Sequence, residues 1–331
     1  MQKDHEKIKE QISPFLAPSV RAIIGGLAHD LLIQTEEIRL RCYKALMVIF
    51  SGYGEAFLDE MGRISSYSNA YIVTNKDLEK TLELISGYSL YAYEEEIRQG
   101  YLTIPGGHRI GLAGRAVIEN CKVKILTHIN SMNFRIARQV LGAGEKVLPF
   151  IIDRCQNRVY HTMIISPPQA GKTTLLRDLA RAISNGEGVL GRGLKVSVID
   201  ERSEIAGCYK GIPQLNIGYR TDVIDACPKA IGIMMALRSL SPRVIVTDEI
   251  GCEKDIKAVE EAVYAGVTVI ASAHGSNLED IFRRPILSHL ISKNYFERLV
   301  FLSSSNGPGT IESIIEGEKG LPLYSSRGGG K

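Results

Sequence analysis

Apolar positions change their spacing along the chain. Up to about residue 35 they recur at helical intervals: Ile8, Ile12 and Phe15 share one face, and Val20, Ile23 and Ile24 resume the pattern after Pro18. Short apolar runs at residues 37–40, 45–50 and 70–73 predict strands. Asn75 is read as the cap of a helix that carries Leu78, Leu82 and Ile85 and stops at Gly87. From Tyr101 to Arg138 the runs HRIGLAGRAVI, KVKILT and NFRIAR alternate with Gly and Asn turns, which predicts β structure. Residues 1–140 therefore read as an α+β N-terminal domain.

Residues 141–146 hold two glycines and no strong periodicity, and are read as a linker. Beyond them the pattern becomes strand, loop, helix, repeated. Apolar strands are expected at 163–165, 196–199, 244–247, 267–271 and 299–302, with helical patterns between. That order predicts an α/β domain with a predominantly parallel sheet over residues 147–316. The Gly- and Ser-rich residues 317–331 are expected to be a flexible tail. No internal repeat is visible.

Composition narrows the class. The chain has 331 residues, 44% hydrophobic and 23% charged, which suits two soluble globular domains. A net charge of +3 is too mild to argue for a nucleic-acid surface. The six cysteines form no CxxC pair and match no zinc spacing, so they read as buried thiols in a reducing cytosol. The N-terminal MQKDHEKIKE is charged and lacks an apolar signal core. No run approaches the roughly 18 apolar residues that span a bilayer. The expectation is a cytoplasmic protein whose membrane contacts are peripheral.

The central chemical signal is MIISPPQAGKTTLLRDLARAI: a strand, a loop, then a helix with Leu175, Leu176, Leu179 and Ile183 on its apolar side. In that context Ser166, Pro167, Pro168, Gln169, Ala170, Gly171, Lys172, Thr173 and Thr174 read as a phosphate cradle for ATP. Consecutive backbone N–H groups and a helix N-terminus favour an anion. Gly171 lets the backbone approach, Lys172 reaches the β- and γ-phosphates, and the Thr173 hydroxyl serves Mg²⁺. Ser166 stands where the GxxxxGK[ST] pattern has its first glycine. A chance GKT before a helix is the bland alternative; the preceding strand, the Pro-Pro turn and the acidic motifs weigh against it.

RVIVTDE supplies two acids at a strand end: Asp248 to hold Mg²⁺ through water, and Glu249 to polarise the attacking water. Asp200, Glu201 and Glu204 follow another strand. Because parallel strands gather their C-terminal ends on one edge, these acids are expected to face the same phosphates, with Asp200 among the metal ligands and Glu201 among the catalytic groups. His274, in ASAHGSN, ends a further strand and is read as a γ-phosphate sensor. A solvated acidic turn and a hydrogen-bonded structural histidine are the plainer readings.

The order of these motifs, with ALRSLSPRVIVTDEI and ASAHGSNLEDIFRRP, resembles the type II, type IV and pilus-motor secretion ATPases. Their Asp box maps to Asp200, Glu201 and Glu204, and their His box to His274. EEIRLRCYKAL, IPGGHRIGLAGRAV, SMNFRIARQV, PPQAGKTTLLRDLAR and SVIDERSEIAG resemble, over nearly the whole chain, the stage III sporulation protein AA family. The resemblance implies a RecA-like P-loop ATPase domain and a homohexameric ring. It also implies a cytoplasmic ATPase at the membrane face of the mother cell, energising a secretion-like complex of membrane channel proteins between mother cell and forespore. In related motors arginines of the first domain reach the nucleotide, which singles out Arg135 and Arg138, with Arg109 and Arg115 behind them and Arg238 and Arg243 as alternatives in the ATPase core. This chain departs from the pattern at Ser166, and it keeps Asp248 where many secretion ATPases lack an Asp before the catalytic Glu. Two other classes stand beside the transport ATPase: a RecA-like nucleic-acid-dependent ATPase, disfavoured by sparse aromatic stacking residues and mild charge, and a non-hydrolysing nucleotide switch, disfavoured by the complete set Lys172, Thr173, Asp248 and Glu249.

Overall fold

The computed structural model describes residues 8–87, 93–119 and 121–326. The chain divides into two compact units, Met1–Arg138 and Gln139–Lys331.

The first unit opens with two short helical turns, Ile8–Ile12 and Ser13–Phe15, followed by α1 (Pro18–Gly25) and α2 (His29–Gln34). Then come β1 (Thr35–Arg41), β2 (Met47–Phe50), β3 (Gly54–Leu58), β4 (Ile64–Ser65), α3 (Asn75–Ser86), α4 (Glu94–Gln99), β5 (Tyr101–Ile104), β6 (His108–Glu119) and β7 (Lys122–Arg135). The seven strands form one antiparallel sheet in the order β4-β3-β2-β1-β7-β6-β5. Ile8, Ile12, Val20 and Ile24 bury their helical face in one core with Ile38, Leu40, Ile110 and Phe134 of the sheet. The helical reading of the N-terminal stretch thus holds from residue 8; residues 1–7 lie outside those described. Residues 70–73 form no strand, only a bridge between Ala45 and Ile72. The cap of α3 is Thr74 rather than Asn75. The Thr74 hydroxyl accepts from the Asp77 N–H, and the Asp77 carboxylate accepts from the Thr74 N–H, a reciprocal box one residue earlier than expected. Gly87 ends the helix at φ +56°.

The second unit begins with α5 (Leu148–Ile151) and a small hairpin, β8 (Ile152–Asp153) and β9 (Arg158–Val159). Its main elements are β10 (Thr162–Ser166), α6 (Lys172–Asn185), β11 (Val196–Asp200), β12 (Thr221–Asp225), α7 (Lys229–Ser239), β13 (Val244–Thr247), α8 (Glu253–Tyr264), β14 (Thr268–His274), α9 (Leu278–Phe282), α10 (Pro285–Ser292), β15 (Arg298–Ser303), β16 (Thr310–Glu316) and β17 (Pro322–Ser325). The sheet order is β12-β11-β13-β14-β10-β15-β16-β17; the first six strands run parallel and the last two antiparallel. The expected tail is therefore sheet as far as Ser325, because β17 pairs with β16; residues 327–331 lie outside those described.

The apolar runs of these strands are continuous because both sheet faces are covered. Ile164 of β10 packs with Leu175, Leu176 and Leu179 of α6 on one face. Its neighbours Met163 and Ile165 pack on the other, with Ile233 of α7, Val259 of α8 and Leu290 of α10. All five β10 residues are buried, as are all four of β13. This sandwich fixes the strand ends, so that Ser166 of β10 stands in register with His274 of β14, next to the loop after β13 that carries Asp248 and Glu249.

Candidate functional site

The loop between β10 and α6 is shaped by two residues with positive φ, Gln169 at +59° and Gly171 at +87°. Gly171 occupies the cap position of α6. A β-carbon there would lie 2.8 Å from the Gly309 nitrogen, a distance only glycine avoids. The Gly309 N–H in turn donates to the Ala170 carbonyl at 3.0 Å, so the turn between β15 and β16 braces the loop from behind. The amides opening α6 carry no helical partner of their own and form an anion-favouring concavity. Ser166 brings no left-handed backbone into this loop; it is the buried last residue of β10, and its hydroxyl donates to the Pro167 carbonyl at 2.8 Å. A glycine is not required at that position because the strand has not yet turned.

A pocket of about 410 Å³ lies on this loop, lined by Pro168, Gln169, Gly171, Lys172, Thr173, Thr174, Arg202, Glu204, Glu249, His274 and Pro308. Lys172 Nζ stands 2.8 Å from His274 Nδ1, with the Ser166 and Pro167 carbonyls at 3.4 and 3.5 Å. His274 Nε2 stands 2.6 Å from Glu249 Oε1. An ammonium has only protons to give, so the imidazole accepts at Nδ1 and carries its own proton on Nε2, beside the Glu249 carboxylate. Lys172, His274 and Glu249 thus stand in one line of contacts across the pocket, a hydrogen bond at Nδ1 and an ionic contact at Nε2. Burial pushes the Lys172 ammonium below the ordinary lysine range, and the Glu249 charge opposes that shift.

The acids after β11 divide. Asp200, expected at the metal, turns away from the pocket. It is fully buried and accepts the backbone N–H groups of Glu204, Ile205 and Ala206 at 2.9, 3.0 and 2.8 Å. Burial raises its pKa to about 6 against the opposing pull of those amides. Arg177, on the helix that starts at Lys172, donates to the Glu204 and Ile205 carbonyls of the same loop. Asp200 and Arg177 hold this loop by its two kinds of backbone group, which leaves Glu204 lining the pocket. Glu201 forms a close ion pair with Lys229, whose Nζ also lies 3.0 Å from Asp248 Oδ1. Asp248 is buried and its pKa is raised by burial, with Lys229 pulling the other way.

The residues present fit a divalent cation that arrives with its own oxygens. Asp248 Oδ1 is buried without an aligned hydrogen bond, the Lys229 contact being ionic rather than directed. Thr173 lines the pocket. Among the described residues no group of three His, Cys, Asp or Glu side chains could cage an ion. A buried carboxylate oxygen and a hydroxyl are donors of the kind that Mg²⁺ takes beside waters and phosphate oxygens.

Arg135 and Arg138 lie in the first unit. The exposed Arg135 has its Nε 3.2 Å from Glu37 Oε1, and Arg138 donates to the carbonyls of Ile33 and Thr35. Arg109 sits opposite Arg135 across the β6–β7 ladder, with its guanidinium 3.5 Å from the Tyr101 ring centroid. Sequence reasoning did not mark Lys229, Arg177 or Arg202. A lysine immediately after Pro228 at a helix start, one element after the acidic strand, was the available signal for Lys229; nothing in the spacing distinguished Arg177 from a surface helix arginine.

Comparison with known proteins agrees with this architecture. The family described as "Sporulation stage III, protein AA" matches residues 6–323. Stage III sporulation protein AA of Bacillus subtilis (strain 168) is 44% identical over 306 residues, 92% of this chain and 94% of that protein. Among solved structures, the Legionella pneumophila ATPase DotB aligns with a TM-score of 0.56 at 14% identity, covering 88% of this chain and 79% of that one. The pilus retraction motor PilT with bound ADP aligns at 0.52 and 15% identity, covering 82% and 75%. At such identities the likeness concerns the fold: a RecA-like α/β domain with a predominantly parallel sheet, preceded by an α+β domain, as in secretion ATPases. The extent of the sequence match settles membership: this chain belongs to the stage III sporulation protein AA family.

Proposed function

We propose that this protein is a Mg²⁺-dependent ATPase that hydrolyses ATP to ADP and phosphate to energise a secretion-like complex between mother cell and forespore. The observation that carries the proposal is the line Lys172–His274–Glu249, lying across a glycine-shaped loop at the C-terminal edge of a parallel sheet. It unites a phosphate-binding cation, a sensor and a water-orienting base in one pocket.

In this reading the amides from Gly171 to Thr174 and the Lys172 ammonium hold the β- and γ-phosphates. Thr173 and Asp248, the latter through water, would hold Mg²⁺, which would supply positive charge to the phosphates. Glu249 orients water for attack. When Lys172 turns to the γ-phosphate it leaves His274 Nδ1, so His274 registers through Lys172 whether the γ-phosphate is present. Glu201 supports the acidic side of the site through Lys229. Arg135 and Arg138 are proposed to supply positive charge in trans from the next subunit of a homohexamer, Arg135 after leaving Glu37.

The chain acts at the mother-cell membrane face, bound peripherally to membrane channel proteins. No helix of the described residues is long and apolar enough to cross a membrane. No observation favours a nucleic-acid-dependent enzyme. Binding of a fluorescent ATP analogue with Mg²⁺ tests the site assignment: wild type should bind and Lys172→Ala should bind at least about tenfold more weakly, the scale of one lost charge-assisted contact. Equal binding by both would remove Lys172 from the site.

A further inference from the structure

Lys229 makes ion pairs with two acids of the candidate site and belongs to neither of the motifs that supply them. It opens α7, after Pro228, with 7% of its surface exposed. Its ammonium is clamped between Glu201, from the loop after β11, and Asp248, from the loop after β13. The contact with Asp248 Oδ1 is 3.0 Å long but not aligned as a hydrogen bond, so it supplies charge more than direction. Two carboxylates side by side in a half-buried site repel and would draw in any free cation. Lys229 already provides one positive charge there.

We propose that Lys229 is a resident counter-ion. It holds Glu201 against Asp248 and keeps the nucleotide-free site from binding free divalent cations, so that Mg²⁺ enters only as a nucleotide complex. Lys229 is thereby a positioning residue, since it acts through Asp248 rather than on the reacting atoms. The proposal rests on the Mg²⁺-nucleotide reading given above. Its physical basis is competition. A single buried charge offsets part of the acidic potential at Asp248, and a bare cation gains less there than it would beside two uncompensated carboxylates. Phosphate oxygens restore the missing attraction when nucleotide is present.

The test is Mn²⁺ binding by the nucleotide-free full-length protein at pH 8, followed by the electron paramagnetic resonance signal of free Mn²⁺. Lys229→Met and the more readily accommodated Lys229→Gln should bind Mn²⁺ at least about tenfold more tightly than wild type, and Lys229→Arg, which keeps the charge, should bind as wild type does. Mg²⁺ alone should raise the melting temperature of the Met and Gln variants but not of wild type. Unchanged or weaker Mn²⁺ binding in a folded Lys229→Gln protein would overturn the proposal. So would variants that stay unfolded with and without Mg²⁺, which would make Lys229 a structural ion pair only. Failure of wild type to bind a fluorescent ATP analogue would instead count against the ATPase reading, which keeps the two failures distinct.

Discussion

Lys172 Nζ and His274 Nδ1 lie 2.8 Å apart, although 102 positions separate them in the chain. Register puts them there: Ser166, the last residue of β10, pairs with His274, the last of β14, and the loop returns Lys172 over the same strand end. The histidine therefore spans from the phosphate-binding side of the pocket to Glu249.

Removing the bridge should separate binding from turnover. His274→Ala is expected to leave nucleotide affinity within about threefold while lowering kcat at least about tenfold, because Lys172 stays on its loop but Glu249 loses its orienting partner. Steady-state ATPase assays beside equilibrium nucleotide binding check this. A matched loss in both would make His274 a binding residue instead.

Gly171→Ala should abolish nucleotide binding. The alanine would need φ +87° and a β-carbon 2.8 Å from the Gly309 nitrogen. The backbone term alone costs about 1–3 kcal/mol. Ser166→Gly is the contrasting case. Ser166 is ordinary strand, so activity should stay within about twofold and stability should fall by about 1 kcal/mol from added chain freedom. Thermal melts and ATPase rates of the two variants distinguish loop shape from sequence pattern.

Asp200 predicts a pH dependence. Its folded pKa is raised to about 6, above the roughly 3.9 of an unfolded aspartate. The stability it contributes is fully present below about pH 4 and declines as pH rises through about 6. Asp200→Asn does not titrate, so the stability gap between wild type and the variant should narrow by up to about 3 kcal/mol from pH 4 to pH 7. Denaturant melts at several pH values read it; a gap that widens with pH would contradict the assignment.

Trans-acting arginines would show in mixing experiments. Arg135→Ala and Lys172→Ala should each be inactive alone, yet mixed assemblies should regain measurable turnover where an intact arginine faces an intact pocket. Arg138→Ala should also loosen the first unit, because Arg138 holds the Ile33 and Thr35 carbonyls. No recovery on mixing would place the arginines in cis or outside the chemistry.

The strands that carry the site were legible because each is a short apolar run buried on both faces, and periodicity reports burial. The runs predicted at 163–165, 196–199 and 244–247 fall within β10, β11 and β13. The edges were not: β12 carries Asp222 and Asp225 and is only partly buried, and β17 looked like a Gly- and Ser-rich tail. Lys172, Glu249 and His274, singled out by identity and by position after a strand, meet in one pocket. The same signal misled at Asp200, because a carboxylate after a strand serves a loop's amides as readily as a metal, and sequence does not show which way the side chain turns. Lys229 escaped notice since its partners come from two other loops and meet it only in the folded chain.

Phosphate release from Mg²⁺-ATP reports turnover at Glu249. Assembled wild-type protein should release phosphate, and Glu249→Gln should release it at least about a hundredfold more slowly while still binding nucleotide. Release by Glu249→Gln at the wild-type rate would contradict the role of Glu249 in turnover.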